Sequence, residues 1–474
     1  MAWSLSFDKF LEKTPDDEIV LEAQKRFKQC EDWEAYARRN FNYDYKFANA
    51  DSSNMYQWDN WVVGDRVSAG RPCLTINKTM QHNLQILNDT KQNKSGVKII
   101  PVGDEASFEA AQIFQELVRH IEYVSNAENV YDYAAKYQID AGWGYWRICV
   151  EPINPKSFDQ DIKIKKVKDP RNVYLDFNCN EDDRSDARFG FIFDDMPRDL
   201  YEAEHPDHKD VGTQTIFNEV NYSRSWFTDK YVRVCEYFRM VQKPDTAVQF
   251  TMPHTGNTIN ELLSDLPKET KKIYKEIKQR EGNLPPEERT YRERDTVKNN
   301  IEWYKIAGNK IIDRKPWLGN TVPIIPLMGT ETVIDGIWDC KGHTRALLDP
   351  QRIYNINSSA NVEFGALQSK SPYVAPAAAI EGYEEYWKTA NTANHSILPF
   401  NHVDEDGAPV PPPQRSPAPQ SSPAYVEQLK ISQEEMMMVT GQFQAQMGEN
   451  ENAKSGVAIN SRQRQGDRDR KSVV

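Results

Sequence analysis

Acidic side chains cluster at two places where a metal-assisted reaction could occur. Asp182, Asp183 and Asp186 lie close together, and Asp194 and Asp195 follow them. Carboxylates of this kind hold Mg²⁺ in metal-dependent hydrolytic enzymes. Exposed turns also collect Asp residues, because the side chain bonds to nearby backbone. A solvated hairpin is the favoured interpretation, and a metal-dependent nucleic-acid-processing enzyme stays as an alternative.

Two histidines form a weaker candidate for a metal site. His205 and His208 lie beside Glu204, but Pro206 stands between them and interrupts the helix that would present both on one face. The GWG sequence at 142–144 is too short for a dinucleotide-binding loop and is typical of a tight turn that closes a helix against a strand. The sequence contains no GxxxxGK[ST] phosphate loop. It therefore predicts no catalytic residue, no metal ligand and no cofactor.

Composition separates this chain from compact enzymes and from proteins that coat DNA. Of its 474 residues, 39% are hydrophobic and 27% are charged, and the mean hydropathy is -0.76. These values suit an elongated, surface-rich or oligomeric protein, and 11 Trp with 22 Tyr indicate that it folds. The net charge of -12 argues against a protein that coats DNA or an anionic membrane.

The cysteines and the start of the chain bear on its compartment. The six cysteines show no CxxC pair and no metal-ligand spacing, which favours buried thiols in a reducing cytoplasm. The sequence opens without a signal pattern, and no apolar run is long enough to span a bilayer. We therefore predict a soluble chain made in the cytosol.

Hydrophobic periodicity predicts helices in the first part of the chain and strands after them. Helices are predicted at 15–39, 77–93, 105–125, 127–142, 259–281 and 425–447. The first carries Ile19, Ala23, Phe27 and Cys30 on one apolar face, and in the last the Met436–Met438 triplet is predicted to be flexible packing material without a cofactor. Strands are predicted at 97–102, within 143–196 and within 231–335, with a turn at 243–245 and a hairpin turn at 308–309. Because no helix alternates with these strands, the fold class is α+β.

A central helix is predicted from Asp349 as its N-cap and Pro350 as its first residue. Its apolar stripe comprises Ile353, Ile356, Ala360, Phe364 and Leu367. Its other face carries few charges and comprises Asn355, Asn357, Ser358, Ser359 and Asn361, which are weak helix formers. We interpret it as a helix held by copies of itself around an axis, with a weakly binding polar lining. An interior helix of a large domain is the alternative.

Five segments in one order carry a family resemblance. They are QWDNWVVGDRVSAGRPCLTINKTMQHNLQILNDTKQNKSGVKIIPVG at 57–103, AGWGYWRICVEP, IKIKKVKDPRNVYLDFNCNEDDRSDARFGFIFDDM, TVPIIPLMG and SGVAINSRQRQGD. The chain thereby resembles portal proteins of short-tailed, podovirus-type bacteriophages, in which RxxxGRPxLxIN and RQNxxxIKxxPV recur. Lys91 stands where that family usually has Arg.

The resemblance implies a portal fold with a wing, a stem, a clip and a helical crown, assembled as a twelve-membered cyclic ring. The implied segments are an N-terminal helical segment packed on the wing at 1–60, the α/β wing at 61–230, a β-rich clip and stem region at 231–338, a stem helix at 339–372, tunnel-side loops with a Pro-rich segment at 373–424, and a wing or crown helix with a basic tail at 425–474. Similar portals continue well past the SGxAI motif, so we expect the crown to be absent or truncated.

The implied function is a non-enzymatic channel at one capsid vertex of the virion, through which double-stranded DNA is packaged and ejected. The implied partners are further copies of the chain, the terminase, a head-tail adaptor, the major capsid protein and the passing DNA, with no membrane. A capsid or tail structural protein without a channel is a further alternative.

The residues that would face the DNA follow from charge. A ring of twelve would carry -144 (12 × -12) and would repel DNA, which presents a phosphate roughly every 1.7 Å. Asn, Ser and isolated Arg or Lys side chains would allow weak, sequence-independent contacts. The channel-facing candidates are Arg352, Asn355, Ser359, Lys370 and Arg415. The basic tail at 462–471 is predicted to be a mobile surface.

Overall fold

The computed structural model describes residues 16–92, 96–102, 107–209, 231–253, 256, 258–282, 285, 289–368, 371–404, 406–417 and 423–442. Its α-helices are α1 Asp16–Ala48, α2 Asn60–Ser68, α3 Lys78–Gln92, α4 Phe108–Ser125, α5 Ala127–Ala141, α6 Arg198–Glu204, α7 Lys268–Glu281, α8 Thr344–Gln368, α9 Ala377–Ile380, α10 Glu384–Lys388 and α11 Pro423–Thr440. Its strands are β1 Trp143–Pro152, β2 Gln160–Lys166, β3 Val173–Leu175, β4 Phe189–Pro197, β5 Tyr231–Thr251, β6 Thr258–Leu262, β7 Tyr291–Ala307, β8 Lys310–Pro316, β9 Ile324–Met328, β10 Thr330–Ile334, β11 Ile337–Lys341, β12 Tyr373–Val374 and β13 Gln414–Arg415.

The chain folds as two units, each built from separate stretches. The first unit comprises Met1–Arg39, Gly96–Ala135 and Trp143–Asp339, and the second comprises Asn40–Ser95, Lys136–Gly142 and Cys340–Val474. The mixture of helices and antiparallel sheets confirms the predicted α+β class. The wing, stem and clip segments were predicted as contiguous stretches, whereas the two units interleave along the sequence. Those finer boundaries therefore stay predictions.

The core of the first unit is an antiparallel sheet covered by the start of α1. The strands run in the order β3-β4-β5-β7-β8, and β6 pairs with the far end of β5. Ile19, Ala23 and Phe27 follow the helical repeat and pack on aromatic side chains of the sheet. The Phe27 ring meets the Tyr174 ring edge-on, with centroids 4.9 Å apart. The predicted apolar face of this helix is confirmed.

The long strand β5 corrects the turn predicted at 243–245. β5 runs through Pro244, which pairs with Val297 of β7. On its other edge, β4 pairs with β5 as far as Arg239 and β6 pairs with it from Ala247. Pro244 lies between these two neighbours, where a missing backbone donor costs least. A proline inside the strand is tolerated for that reason.

Of two further predictions for the first unit, one is confirmed and one is wrong. The two-residue connection at 308–309 between β7 and β8 is confirmed, and Gly308 has φ 59°. Residues 97–102 lie in no strand, although their β-branched composition predicted one. A high strand propensity means that the side chains fit a pleated sheet surface, so it has an effect only where a partner strand exists. Among the described residues, this segment has no pairing partner.

The second unit contains α8, which begins earlier than predicted. The helix starts at Thr344, and Pro350 lies inside it. Proline lacks the N–H that would reach the carbonyl of Ala346, so an isolated helix would be expected to start after Asp349. Side chains of the preceding turn are deeply buried, Thr344 and Leu347 among them. Tertiary contacts therefore stabilise this first turn of α8, which the sequence pattern did not predict.

Glycines allow a close backbone approach at the end of α5, as predicted for the GWG turn. A Cβ on Gly142, which has φ 125°, would lie 2.4 Å from the carbonyl oxygen of Cys340. A Cβ on Gly144 would lie 2.1 Å from the carbonyl oxygen of Ala134. Only glycine fits at either position.

Two general predictions can also be compared with the structure. All six cysteines are free, and four of them are buried, while Cys73 and Cys179 are half-buried. Across the described residues, no helix combines the length and the apolar character that a bilayer crossing requires.

Candidate functional site

The polar face of α8 binds residues 74–79 of its own unit, which comprise the residues that precede α3 and the first two residues of that helix. The Gln351 side-chain oxygen accepts hydrogen bonds from the backbone N–H groups of Lys78 and Thr79, at 2.8 and 3.0 Å. Its amide nitrogen donates to the carbonyl of Ile76 at 2.8 Å and to Asn355 Oδ1 at 3.0 Å. Gln351 is fully buried, so these bonds satisfy its amide.

The next two turns of α8 continue the same pattern. Asn355 Oδ1 accepts from the N–H of Ile76 at 3.1 Å, and its Nδ2 donates to Gln57 Oε1 at 2.8 Å. Ser359 Oγ accepts from the N–H of Leu74 at 2.9 Å. Both side chains are buried. We call Gln351, Asn355, Ser359 and the backbone of 74–79 the α8 ladder.

The geometry of the α8 ladder explains why a helix serves here in place of a strand. Residues 351, 355 and 359 share one face, and the four-residue step from Asn355 to Ser359 rises about 6 Å at roughly 1.5 Å per residue. Leu74 and Ile76 lie about 7 Å apart when extended at roughly 3.3 Å per residue, and Gln351 accepts from the first amides of α3, those of Lys78 and Thr79. The two repeats match, so side chains four apart reach backbone groups two or more apart. The helix thereby supplies partners that a neighbouring strand would otherwise supply.

Burial of the α8 ladder corrects the interpretation of the polar face. Asn355 and Ser359 were predicted to face a DNA channel, yet both point into their own unit and bond to its backbone. Exposed aliphatic side chains lie elsewhere on α8, at Ile353 and Ile356. The predicted polar face is buried in its own unit, because uncharged amides and hydroxyls can be satisfied by backbone groups as well as by water.

A second polar cluster fixes the start of α8. Asn83 Nδ2 donates to Asp140 Oδ1 at 2.9 Å and to Thr344 Oγ1 at 2.8 Å, and Asn83 Oδ1 lies 3.1 Å from His343 Nδ1. Burial raises the pKa of the Asp140 carboxyl above its usual range. Arg345 donates to Asp44 at 2.7 Å. These contacts hold α3, α5 and the first turn of α8 together.

Arg352 lies at the surface, with its charge already balanced. It forms ion pairs with Asp59 at 3.3 Å and Asp349 at 3.4 Å, and it donates to the Tyr43 hydroxyl. Burial raises the pKa of Tyr43. A cation between two carboxylates binds phosphate weakly, and weak binding is what a channel residue needs if DNA is to slide past it.

The two remaining channel candidates lie after α8. Arg415 is exposed in β13, where its Nε donates to Ser371 Oγ at 2.8 Å and its guanidinium lies 5.5 Å from the centre of the Tyr373 ring. Lys370 lies outside the described residues, as do the basic tail and the SGVAINSRQRQGD segment. The structure thus brings Asn355 and Ser359 together in the α8 ladder and places Arg415 in a separate small sheet.

Helix α11 packs along α8. Asn357 donates to Gln428 at 3.2 Å, and the Phe364 and Tyr425 rings lie 5.2 Å apart. Met436 of the predicted packing triplet is buried, whereas Met438 is exposed. The end of α11 is fixed by Gln442, which donates to the carbonyl of His82 at 3.0 Å.

The acidic and histidine candidates have structural partners. Asp195 forms an ion pair with the buried Arg233 at 2.8 Å, and Asp183 Oδ1 accepts from the N–H of Ser185 at 2.9 Å. His205 lies 3.0 Å from the Lys305 amine, and burial followed by the lysine charge lowers its pKa. The described residues contain no group of three or more His, Cys, Asp or Glu side chains placed to hold a metal ion.

Fold and site together define an α+β chain in which buried polar side chains of α8 bond to the chain's own backbone. The profile of the phage P22-like portal protein family matches residues 24–471, and the chain belongs to that family. It is also 26% identical over 393 residues to the curated "Portal protein" of Acyrthosiphon pisum secondary endosymbiont phage 1. That match covers 79% of this chain and 52% of the relative, so the chain spans about half the length of that relative. The resemblance drawn from five segments is confirmed.

Sequence reasoning missed Gln351 of the α8 ladder and Gln57, which accepts a hydrogen bond from Asn355. The available signal was the spacing of Gln351, Asn355 and Ser359, three polar side chains at four-residue steps along one face. The partner segment, RPCLTIN at 71–77, lies in no helix or strand and leads into α3. It belongs to the first of the five family segments, and the structure shows that α8 binds it.

Proposed function

We propose that this protein is a portal protein, a ring of about twelve copies at one vertex of a phage capsid. The observation that carries the proposal is the family match across residues 24–471. The ring passes double-stranded DNA into the capsid during packaging and out of it during ejection. The terminase supplies ATP hydrolysis, and a head-tail adaptor and the major capsid protein bind the ring from outside.

Charge supports a passive conduit. The chain carries -12, and Arg352, a channel candidate at the surface, is paired with two carboxylates. A ring of such chains repels phosphate at long range and contacts it weakly at close range. DNA can then move through without stalling at a tight site. Arg352 and Arg415 stay as the channel-facing candidates, whereas the burial of Asn355 and Ser359 argues against that role for them.

Mass photometry of the purified chain tests the assembly. Twelve copies of 54.8 kDa give a particle of 658 kDa (12 × 54.8). A dominant species near that mass supports the portal proposal. A chain that stays monomeric or dimeric at micromolar concentration contradicts it. No observation in the described residues favours the metal-dependent enzyme, since the Asp195 carboxylate is occupied by Arg233.

A further inference from the structure

Helix α7 of the first unit covers one end of the long β5–β7 ribbon. Tyr274 and Ile277 are buried and form a small hydrophobic core with side chains of the strands, among them Phe250 and Tyr291. The rings of Phe250 and Tyr274 lie 5.2 Å apart. β4 pairs with β5 only as far as Arg239, and this core is separate from the main core of the unit. One side of α7 is buried there, and the opposite side is exposed.

Four lysines lie together on the exposed side of α7. Lys268, Lys272 and Lys275 follow one another at steps of four and three residues, which places their side chains on one face of the helix. Lys271 lies beside them, three residues after Lys268 and four before Lys275. Lys271 is half-buried and the other three are exposed. We call these four side chains the α7 stripe.

The α7 stripe is not neutralised by the chain itself. The other basic residues of α7 have carboxylate partners, since Lys278 pairs with Glu293 at 2.5 Å and Arg280 pairs with Glu281 at 2.8 Å. Within the described part of the chain, no carboxylate lies at ion-pair distance from a lysine of the stripe. The stripe therefore presents its positive charges together to the solvent.

The position of the α7 stripe is unfavourable for the helix that carries it. Lys268 and Lys271 lie in the first turn of α7, at the positive end of the helix dipole, where a cation is destabilising. Like charges three and four residues apart on a helix also repel each other. α7 carries six basic and three acidic residues, a net charge of +3 (6 − 3), in a chain whose net charge is -12. The stripe costs stability in the free chain, and a negatively charged partner would offset that cost.

We propose that the α7 stripe binds an acidic segment of a partner protein. The step from Lys268 to Lys272 rises about 6 Å along the helix, and the step on to Lys275 about 4.5 Å, at roughly 1.5 Å per residue. Carboxylates at four- and three-residue steps of a partner helix have the same spacing, so each would meet one ammonium group. Charge complementarity of this kind speeds association and selects the partner. The inference goes beyond the proposed ring, since the stripe belongs to a single chain.

The residues that flank the α7 stripe favour a protein over a nucleic acid. Glu269 and Glu276 are exposed on the strip of α7 beside the lysines. A nucleic-acid backbone carries negative charge along its whole length, so these carboxylates would repel it. A protein segment can instead place a basic residue opposite each of them. Sequence-independent binding of single strands also uses exposed aromatic side chains, and the one aromatic residue of α7, Tyr274, is buried.

The test measures binding of a short fluorescein-labelled poly-L-glutamate peptide to the full chain by fluorescence anisotropy. A labelled DNA duplex of similar length is measured beside it. The first variant, Lys268→Gln with Lys272→Gln and Lys275→Gln, removes three charges and keeps good helix formers. The second variant, Lys268→Arg with Lys272→Arg and Lys275→Arg, keeps the charges.

A matched control removes three exposed lysines of the same unit that lie outside the α7 stripe, Lys25→Gln with Lys156→Gln and Lys209→Gln. It changes the net charge by the same amount as the glutamine variant of the stripe. The control therefore separates the effect of the stripe from the effect of the overall charge. The melting temperature of each variant shows that it is folded.

We expect the peptide to bind the wild type, the arginine variant and the control alike. It should bind the glutamine variant about tenfold more weakly, since each exposed ion pair contributes modestly. No binding by the wild type, or unchanged binding by the glutamine variant, would overturn the proposal. Equal losses in the glutamine and arginine variants would overturn it too, because charge would not be what is recognised.

The duplex distinguishes the two classes of partner. We expect it to bind the wild type more weakly than the peptide does. A duplex that binds more tightly, and loses that binding in the glutamine variant, would assign the α7 stripe to nucleic acid and overturn the proposal. None of these outcomes depends on assembly, which mass photometry follows separately, so a chain that forms no ring would contradict the portal proposal alone.

Discussion

Single side chains of α8 hold residues 74–79 by bonding to specific backbone amides. We predict that Asn355→Leu, which keeps the branched shape of the side chain but removes the amide, lowers the free energy of unfolding by about 1–3 kcal/mol. Ser359→Ala should cost about 1 kcal/mol. Amide hydrogen exchange is the sharper measurement. Asn355→Leu should speed exchange at Ile76, and Ser359→Ala should speed it at Leu74.

A polar residue of the same helix outside the ladder is the matched control. Asn361 is half-buried, and Asn361→Ala should leave exchange at both amides unchanged. Unaltered exchange at Leu74 and Ile76 in the two ladder variants would show that something other than α8 holds the segment.

Arg38 in the first unit is a buried cation with several acceptors. It donates to Glu34 at 2.7 Å and to the carbonyl of Arg171 at 2.7 Å, and its guanidinium lies 3.5 Å from the centre of the Tyr174 ring. We predict that Arg38→Met costs about 3–5 kcal/mol, because Glu34 is left buried without its counterion. Adding Glu34→Leu should recover much of that loss. Chemical denaturation measures both changes.

The Arg38→Met defect should depend on pH in a defined direction. Burial raises the pKa of Glu34 above the ordinary value of 4.5 even beside Arg38, and without Arg38 the pKa rises further. A carboxyl with a raised folded-state pKa binds its proton more tightly when folded, so its cost is present above the unfolded pKa and vanishes as the pH falls below it. The defect should be larger at pH 8 than at pH 4. A defect independent of pH would mean that lost packing, and not the charge of Glu34, dominates.

At the scale of elements, close backbone approach makes one glycine indispensable. A Cβ on Gly144 would lie 2.1 Å from the carbonyl oxygen of Ala134, and backbone cannot give way cheaply. Gly144→Ala should destabilise the fold by about 3 kcal/mol or more. The matched control is Gly64→Ala in α2, where nothing lies within 4 Å. That change should stabilise the protein by about 0.5–1 kcal/mol, and melting temperatures would show the opposite signs. Equal shifts would refute the close approach.

Helices and strands were predicted correctly where the periodicity of their own residues was enough to define them. The α1 face with Ile19, Ala23 and Phe27 was predicted correctly, because a helix against a sheet buries its apolar stripe. In α8 the same reasoning found the polar face but did not predict that it is buried. Periodicity identifies two faces of a helix but does not say which face packs against the rest of the chain. In α8 the hydrogen bonds of Gln351, Asn355 and Ser359 place the polar face inside.

Two other predictions were wrong for a similar reason. Pro244 suggested a turn, but it lies inside β5. A proline is acceptable there because neither β4 nor β6 pairs with that part of β5. The first turn of α8 precedes Pro350 and is held by Asn83 and Asp44, which are distant in sequence. In each case a contact with residues distant in sequence overrides the local preference of a proline. A single sequence does not show which residues make that contact.

For the whole molecule, the net charge predicts the affinity of the assembled protein for DNA. A ring of chains that each carry -12 should bind a linear duplex more weakly than about 10⁻⁵ M at physiological salt, since sequence-independent binding arises from phosphate neutralisation. Fluorescence anisotropy with a labelled duplex measures the affinity. Submicromolar binding that falls steeply with salt would indicate a gripping surface and would contradict a passive conduit.

Electron microscopy of the negatively stained protein shows whether the chain assembles into a ring with a hole. The portal proposal predicts class averages of closed rings of about twelve subunits around a central hole wide enough for a DNA duplex. Compact particles without a hole, or single copies and dimers at every concentration, would contradict it.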